Sequence, residues 1–401
     1  MNILIFNCGS SSQAFKVYQV SEKDQPKIIA SGKAKNVATQ TKADSFIEYR
    51  INDKQRKEII SLPSHRIAAD VILTLLEREN ITIDGIGHRF VHGGPHFDRS
   101  VKIDENVFYE LKNSFRFAPI HNPNSFSVIE VCKARLPEIP QYAVFDTAFH
   151  AKLPKESQVY ALPKKLAGEY GFRKYGFHGL SYQNILSKMP DLLGKPIEQL
   201  NLVMCHLGTG GSSVTAIKNG LPYDTSMGYS PLQGLIMSTR CGDLDPEIVL
   251  DLIRSGMSAD EVDSVLNNQS GLIGLSGYSS NLIEIIDESE RGNEDCQLAY
   301  DAYSHRLKSY IGAFVWLLDG ADAIVFTDDL GIKSWKLREK VFKDSENMGI
   351  RLDNHANQNA SFEKPSLVSR SDSEIPIWVV PNDEEIVILN EILELIGNGT
   401  L

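Results

Sequence analysis

Hydrophobic positions fall into short continuous runs that alternate with longer stretches of helical spacing. Residues 3–6 (Ile-Leu-Ile-Phe) form an apolar run too short for a helix, which predicts a buried strand. A polar turn at Asn7, Cys8, Gly9, Ser10, Ser11 and Ser12 follows, with Gly9 expected to supply conformational freedom, and the chain then returns as a second strand through Val17. Residues 20–60 are polar and strand-like in pieces, most clearly over 46–51, and read as a meander continuing the first sheet. Ile67, Val71, Ile72 and Leu75 lie on or near one face of a helix predicted over 64–78. A loop and strand over 83–91, an amphipathic helix ending near Ala134 and a strand over 142–145 complete the first part.

The second part starts with an apolar strand over 201–205, a Gly- and Ser-containing turn over 206–213 and a return strand over 214–217. A helix over 297–318 carries Leu307, Ile311, Phe314, Val315 and Leu318 as a core stripe. A buried strand over 323–327, a turn over 328–331, a charged helix from about Ser334, a last strand over 377–380 and a terminal helix follow. Strands alternating with helices across both parts predict an α/β protein. Its 401 residues favour two domains. The hairpin near residue 205 echoes the one at the start, so the two domains are expected to be related, each with a turn that can face a phosphate. Ordinary Gly-Ser hairpins would look the same locally.

Composition narrows the chemistry. A net charge of −11 argues against general nucleic-acid binding, since a basic face is needed to displace counterions from a phosphate backbone. An acidic protein that handles anions must gather positive charge locally. Cys8, Cys132, Cys205, Cys241 and Cys296 are widely spaced without a C-x-x-C pair, which predicts neither a zinc site nor a disulfide framework and fits a reducing cytoplasm. The start has no basic segment ahead of its four-residue apolar run, unlike a signal peptide, and no apolar stretch is long enough to span a bilayer.

Candidate chemistry gathers where strands end. Gly87-His88-Arg89-Phe90-Val91-His92-Gly93-Gly94 places histidines and an arginine at one strand end, although a surface turn with a solvated arginine uses the same residue types. Asp146 lies just beyond the strand over 142–145, where ligands of open α/β sheets bind, and where capping aspartates also occur. His178 sits between Phe177 and Gly179, and Arg240 in a loop-rich stretch with Thr239 and Asp243.

Several of these stretches, in this order and over essentially the whole chain, together resemble the acetate kinase family: N-x-G-S-S-S, G-H-R-x-V-H-G-G, H-N-P, F-D-T-A-F-H, Y-G-F-H-G, H-L-G-x-G, D-T-S-M-G, R-x-G-D-x-D-P and a late D-E-E. The resemblance implies a duplicated actin-like, sugar-kinase-like (ribonuclease H-like) α/β fold with two domains and a cleft between them. The expected domains are residues 1–147 with 382–401 on the acyl side, and 148–381 on the donor side. It further implies a cytoplasmic homodimer that moves phosphoryl between ATP/ADP and a short carboxylate with Mg²⁺. The carboxylate would be acetate or propionate, with no nucleic-acid or membrane partner. By the same resemblance Arg89 holds the substrate carboxylate, while Asp146, His178 and Arg240 are catalytic. Val91, Ile120, Phe177 and Pro231 line the acyl pocket, and His121 and His206 support it. Asn7 and Glu384 match the Mg²⁺ positions. Ser10, Ser12, His206, Leu207, Gly208, Thr209, Gly210, Asn281, Asp328, Asp329 and Gly331 match phosphate and nucleotide positions. A carboxylate is already anionic near neutral pH, so the reaction needs charge neutralisation and in-line positioning more than a strong base.

The departures from the family pattern fall on the nucleotide side. A lysine expected two residues after the third serine is Ala14, and Lys16 starts roughly 7 Å further along the strand. Thr209 replaces an asparagine, Asn281 and Ile283 stand where an aspartate and an arginine are expected, and Asp328-Asp329 replaces Gly-Gly. Two added carboxylates predict weaker ATP use. The alternative to an ordinary acetate kinase is therefore a nucleotide-independent phosphotransferase using pyrophosphate or phosphate, an acyl-phosphate phosphatase, or a non-catalytic relative.

Overall fold

The first apolar run becomes the centre of an eight-stranded sheet in the computed structural model, which describes residues 1–21, 24–39, 44–51, 54–119 and 121–398. The strands are β1 Asn2–Cys8, β2 Ser12–Gln19, β3 Lys27–Lys35, β4 Phe46–Ile51, β5 Lys54–Ile59, β6 Gly85–Phe90, β7 Val101–Lys102 and β8 Gln141–Phe145, in the order β5-β4-β3-β2-β1-β6-β8-β7. β1 pairs antiparallel with β2 and parallel with β6. Covered on both faces, β1 buries Ile3, Leu4, Ile5 and Phe6 without alternation, as a central strand should. β5 lies at the sheet edge and presents Lys54, Arg56 and Lys57 to solvent, charges that discourage pairing with another chain.

Helices cover the sheet. Ser64 caps the helix His65–Arg78 by accepting the Ile67 N–H, and Ala68, Ala69, Ile72, Leu73, Leu75 and Leu76 are buried. The buried stripe is rotated from the expected one: Ile72 and Leu75 face the core, whereas Ile67 is exposed and Val71 half-buried. The helices His65–Arg78 and Asn122–Arg135 pack together over one side of β1, against Leu4 and Phe6. The terminal helix Glu384–Asn398 packs on β1 and β6. A Cβ on Gly87 would overlap Ile392 Cδ1 and lie 2.9 Å from Ile5 Cδ1, so glycine at this place lets the helix lie directly on β6. That close approach brings the start of the helix to the end of the strand carrying Arg89.

The second sheet is formed by β9 Leu202–Leu207, β10 Ser212–Lys218, β11 Leu221–Thr225, β12 Ala323–Thr327, β13 Ser366–Leu367 and β14 Ile377–Val379, in the order β11-β10-β9-β12-β14-β13. The helix Glu294–Leu317 buries Leu307, Ile311, Phe314 and Val315, as its stripe predicts. Both sheets share one plan: β3-β2-β1 and β11-β10-β9 are antiparallel threes, continued by the parallel strands β6-β8 and β12-β14. This is the duplicated α/β arrangement expected from the two similar hairpins. The chain divides into two units, residues 1–151 with the segment from Asp383 onward, and Lys152–Asn382.

Four local expectations are corrected. The first turn is tighter than expected, because Asn7, Cys8 and Ser12 belong to strands. Gly9 does not adopt a positive φ, so left-handed freedom is not its role there. His206 and Leu207 are strand residues. Residues 328–331 open the helix Asp328–Lys333 rather than forming a turn. All five cysteines are free. Among the described residues no helix is long and apolar enough to cross a membrane.

Candidate active site

In the first unit, Arg89 near the end of β6 and Asp146 just beyond β8 face each other across neighbouring strands. The guanidinium straddles the carboxylate, with Nε 3.1 Å from Oδ1 and NH2 2.6 Å from Oδ2. NH1 donates to Asn7 Oδ1 at 2.9 Å. Asn7 in turn donates through Nδ2 to Glu384 Oε2 at 3.2 Å and Glu385 Oε1 at 2.9 Å. Burial works against the charge on Arg89, yet Asp146 and Glu384 outweigh it and keep the guanidinium protonated. These bonds use three of the five guanidinium N–H groups, leaving two with which Arg89 can hold a further anion. Buried Cys8 has its thiol pushed up to about 12 by burial and is unsuited to nucleophilic chemistry.

The neighbouring loop is held by residues that motif reasoning left without roles. Asn122, fully buried, accepts the His92 N–H and donates to the His92 and Ser114 carbonyls. Thr147 Oγ1 accepts the Gly93 N–H at 3.1 Å. Val91 is buried on this loop, and His121 directly precedes the helix Asn122–Arg135. Ile120 lies outside the described residues. Ser10 is exposed, while the Ser12 carbonyl accepts the Gly9 N–H and closes the first turn.

Lys16 does not reach back toward the place of the missing lysine. Its ammonium is bound to Asp383 Oδ1 at 2.8 Å and lies 3.3 Å from Glu385 Oε2. Burial penalises the charged Asp383, but Lys16 overrides that penalty and holds its carboxyl below the usual range. Lys16 therefore secures the entry of the terminal helix beside Glu384.

The oxygen-rich set Asn7, Glu384, Glu385 and Asp146 suits a hard cation such as Mg²⁺, which prefers oxygen ligands and keeps several waters. Among the described residues no three His, Cys, Asp or Glu side chains are grouped as a metal cage.

In the second unit, His178 occupies the left-handed region at φ 58°, a conformation uncommon for a side-chain-bearing residue, just before the helix Gly179–Leu193. Its ring stacks on His206 with centroids 4.0 Å apart. A Cβ built on Gly211 would lie 3.3 Å from Arg240 NH1 and 3.5 Å from His178 Nε2, so both nitrogens converge on one small patch beside the turn after β9. Met237 Sδ lies 3.9 Å from Arg240 NH1, and among the described residues Arg240 has no ion pair. Burial alone pushes its pKa down. Ser238 donates to the Thr209 carbonyl and ties the turn to the loop bearing Arg240. Leu207 is buried and Gly210 open. Phe177 is buried and Pro231 half-buried.

The residues that depart from the family pattern separate by position. Asp328, at φ 64°, places Oδ2 3.3 Å from His206 Nε2 and close enough to Gly208 that a Cβ there would overlap it. Asp329 is instead exposed and paired with Lys333 at 2.9 Å. Asn281 caps the helix Leu282–Glu290 by accepting the Ile283 N–H, and Ile283 is exposed. Buried Arg338 donates to the Gly331 and Ile332 carbonyls and clamps the short helix begun by Asp328. Tyr182, Ser213 and Ser181 also touch this histidine pair.

Comparison with known proteins matches the Acetokinase family over residues 2–390. The chain is 38% identical over 406 residues to the acetate kinase of Dictyoglomus thermophilum, covering 99% of this chain and 100% of that protein. The crystal structure of acetate kinase from Entamoeba histolytica superposes with a TM-score of 0.88 at 39% identity, covering 98% of this chain and 99% of that one. A propionate kinase from Francisella tularensis gives a TM-score of 0.88 at 32% identity, covering 97% and 98%.

Proposed function

Because the chain belongs to the Acetokinase family and is an acetate kinase-like phosphotransferase, we propose that it moves phosphoryl reversibly between ATP and acetate, or the homologous propionate. The family match favours this nucleotide-using reaction over the nucleotide-independent alternative. The first unit takes the carboxylate, and the second takes the phosphate donor. The observation that carries this reading is the convergence of Arg240 NH1 and His178 Nε2 on the patch at Gly211, with no carboxylate of the described residues neutralising Arg240.

Each group has a definable task. Arg89 directs its remaining N–H groups to the substrate carboxylate, while Asp146 fixes the guanidinium plane and, as an anion, needs no proton transfer to do so. Arg240 and His178 donate to phosphoryl oxygens as charge shifts during in-line transfer. Val91 offers apolar surface to the acyl group in the first unit, and because one methylene at an apolar site is worth only about 1 to 3 kcal/mol, the substrate is acetate or its homologue propionate. Asn7 and Glu384 would hold Mg²⁺, which when bound neutralises phosphate charge. A cytoplasmic homodimer accords with the family resemblance.

Purified protein supplied with ATP, Mg²⁺ and acetate is expected to form an acyl phosphate trapped by hydroxylamine as the hydroxamate. Product formed with pyrophosphate but not with ATP would refute the donor assignment, and no product with either would refute the phosphotransferase reading.

A further inference from the structure

Tyr182, Ser213 and His178 form a line of hydrogen bonds within the second unit. Tyr182 Oη lies 2.5 Å from Ser213 Oγ, and Ser213 Oγ lies 2.8 Å from His178 Nδ1. Tyr182 is fully buried one turn into the helix that His178 precedes, and Ser213 is fully buried on β10 opposite His206. The other end of the line is set by backbone: the Tyr182 oxygen is hydrogen-bonded by the main chain of His206. A peptide N–H can only donate, so the tyrosine oxygen accepts there, and its own proton is available to Ser213 Oγ. With that order of donation, the Ser213 proton is left for His178 Nδ1.

We propose that Tyr182 and Ser213 are positioning residues that hold neutral His178 in the tautomer protonated on Nε2, so that this N–H faces the patch shared with Arg240. The proposal rests on the phosphoryl-transfer reading given above. A neutral imidazole has one donor and one acceptor nitrogen, so a bond that makes Nδ1 the acceptor makes Nε2 the donor. The opposite tautomer would present a lone pair to an anionic phosphoryl oxygen at the one patch where a donor is needed. The neutral form suits a place that already holds one cation: Arg240 lies across Gly211 from His178, and Asp328 meets the far nitrogen of the stacked His206 ring. Two cations side by side would oppose each other.

The ¹⁵N spectrum of the full chain labelled in histidine reads the tautomer directly, with the His178 signals assigned by their loss in His178→Gln. The expected result is Nε2–H in the unaltered protein and a shift toward Nδ1–H in Tyr182→Phe, which keeps the ring and removes the hydroxyl. Turnover in Tyr182→Phe should fall about tenfold, the scale of one lost hydrogen bond, with KM for acetate unchanged and the fold retained at a somewhat lower melting temperature. Ser213→Ala should move both readouts the same way. Nδ1–H in the unaltered protein overturns the proposal, as does a Tyr182→Phe protein with unaltered tautomer, whatever its activity. An unaltered protein with Nε2–H that forms no acyl phosphate would refute the functional reading and leave the relay intact.

Discussion

Asp328 directs its carboxylate at His206, with Oδ2 3.3 Å from Nε2, and in doing so lies against Gly208 in the turn after β9. Asp329, its neighbour in sequence, is turned to solvent and to Lys333. One of the two aspartates therefore faces the turn after β9, for which we propose phosphate binding, and the other is a surface ion pair.

Asp328→Gly is expected to lower KM for ATP about tenfold, because a like-charge approach near a protein surface costs roughly 1 to 4 kcal/mol. It should also raise stability by about 1 kcal/mol by relieving the left-handed backbone. Asp329→Gly should leave KM for ATP unchanged. Steady-state kinetics and thermal unfolding of the two variants separate these effects, and equal KM shifts would show that position along the helix does not matter.

Arg240→Ala should reduce kcat by about 10²- to 10³-fold, the usual consequence of losing a donor to transition-state charge. Stability should change little, since among the described residues no carboxylate is left unpaired. Parallel assays and denaturant titrations test both halves of the statement.

Arg89→Ala should behave differently. It strands the buried Asp146 carboxylate, and breaking a buried pair costs about 3 to 5 kcal/mol. Loss of activity should therefore come with a clearly lower unfolding midpoint. A replacement as stable as the parent would show that Asp146 finds another cation.

His88, fully buried beneath Phe6 and bonded to Gln141, has its pKa lowered to about 4 by burial. An unfolded histidine titrates near 6.5, so between those values the unfolded chain binds more protons and stability rises with pH. The contribution, about 3 kcal/mol, is fully present above pH 6.5 and is lost as pH falls toward 4. His88→Gln should flatten this part of the pH–stability curve, measured by urea unfolding between pH 4 and 7.

Lys16→Met should loosen the entry to the terminal helix by removing the contacts to Asp383 and Glu385. These groups are partly solvated, so the stability loss should be only about 1 kcal/mol. The Mg²⁺ concentration giving half-maximal rate should rise, because Glu385 shares Asn7 with Glu384. An unchanged Mg²⁺ dependence would separate Lys16 from the cation site.

Local pattern was sufficient for much of the fold. Continuous apolar runs announced β1, β9 and β12, a 3.6-residue period announced the helix Glu294–Leu317, and the two similar hairpins announced the duplicated sheet plan. These signals are legible because they repeat over a few neighbouring residues and burial enforces them. Two aspartates beside a glycine are turn chemistry, so residues 328–331 read as a turn, and only packing on β9 and clamping by Arg338 make that stretch helical.

The sequence by itself determined which residue types would stand at strand ends, and through its ordered motifs the family to which they belong. Tertiary structure alone decided the partners: Arg89 with Asp146, 57 residues apart, Asn7 with Glu385, 378 apart, and Lys16 with the terminal helix instead of the first turn. It also decided that Asp328 and Asp329 point to different surroundings. The reason is range. Periodicity records which face of one element avoids water, whereas an ion pair or a hydroxyl relay depends on angstrom-scale placement of side chains from elements that meet only when each unit folds.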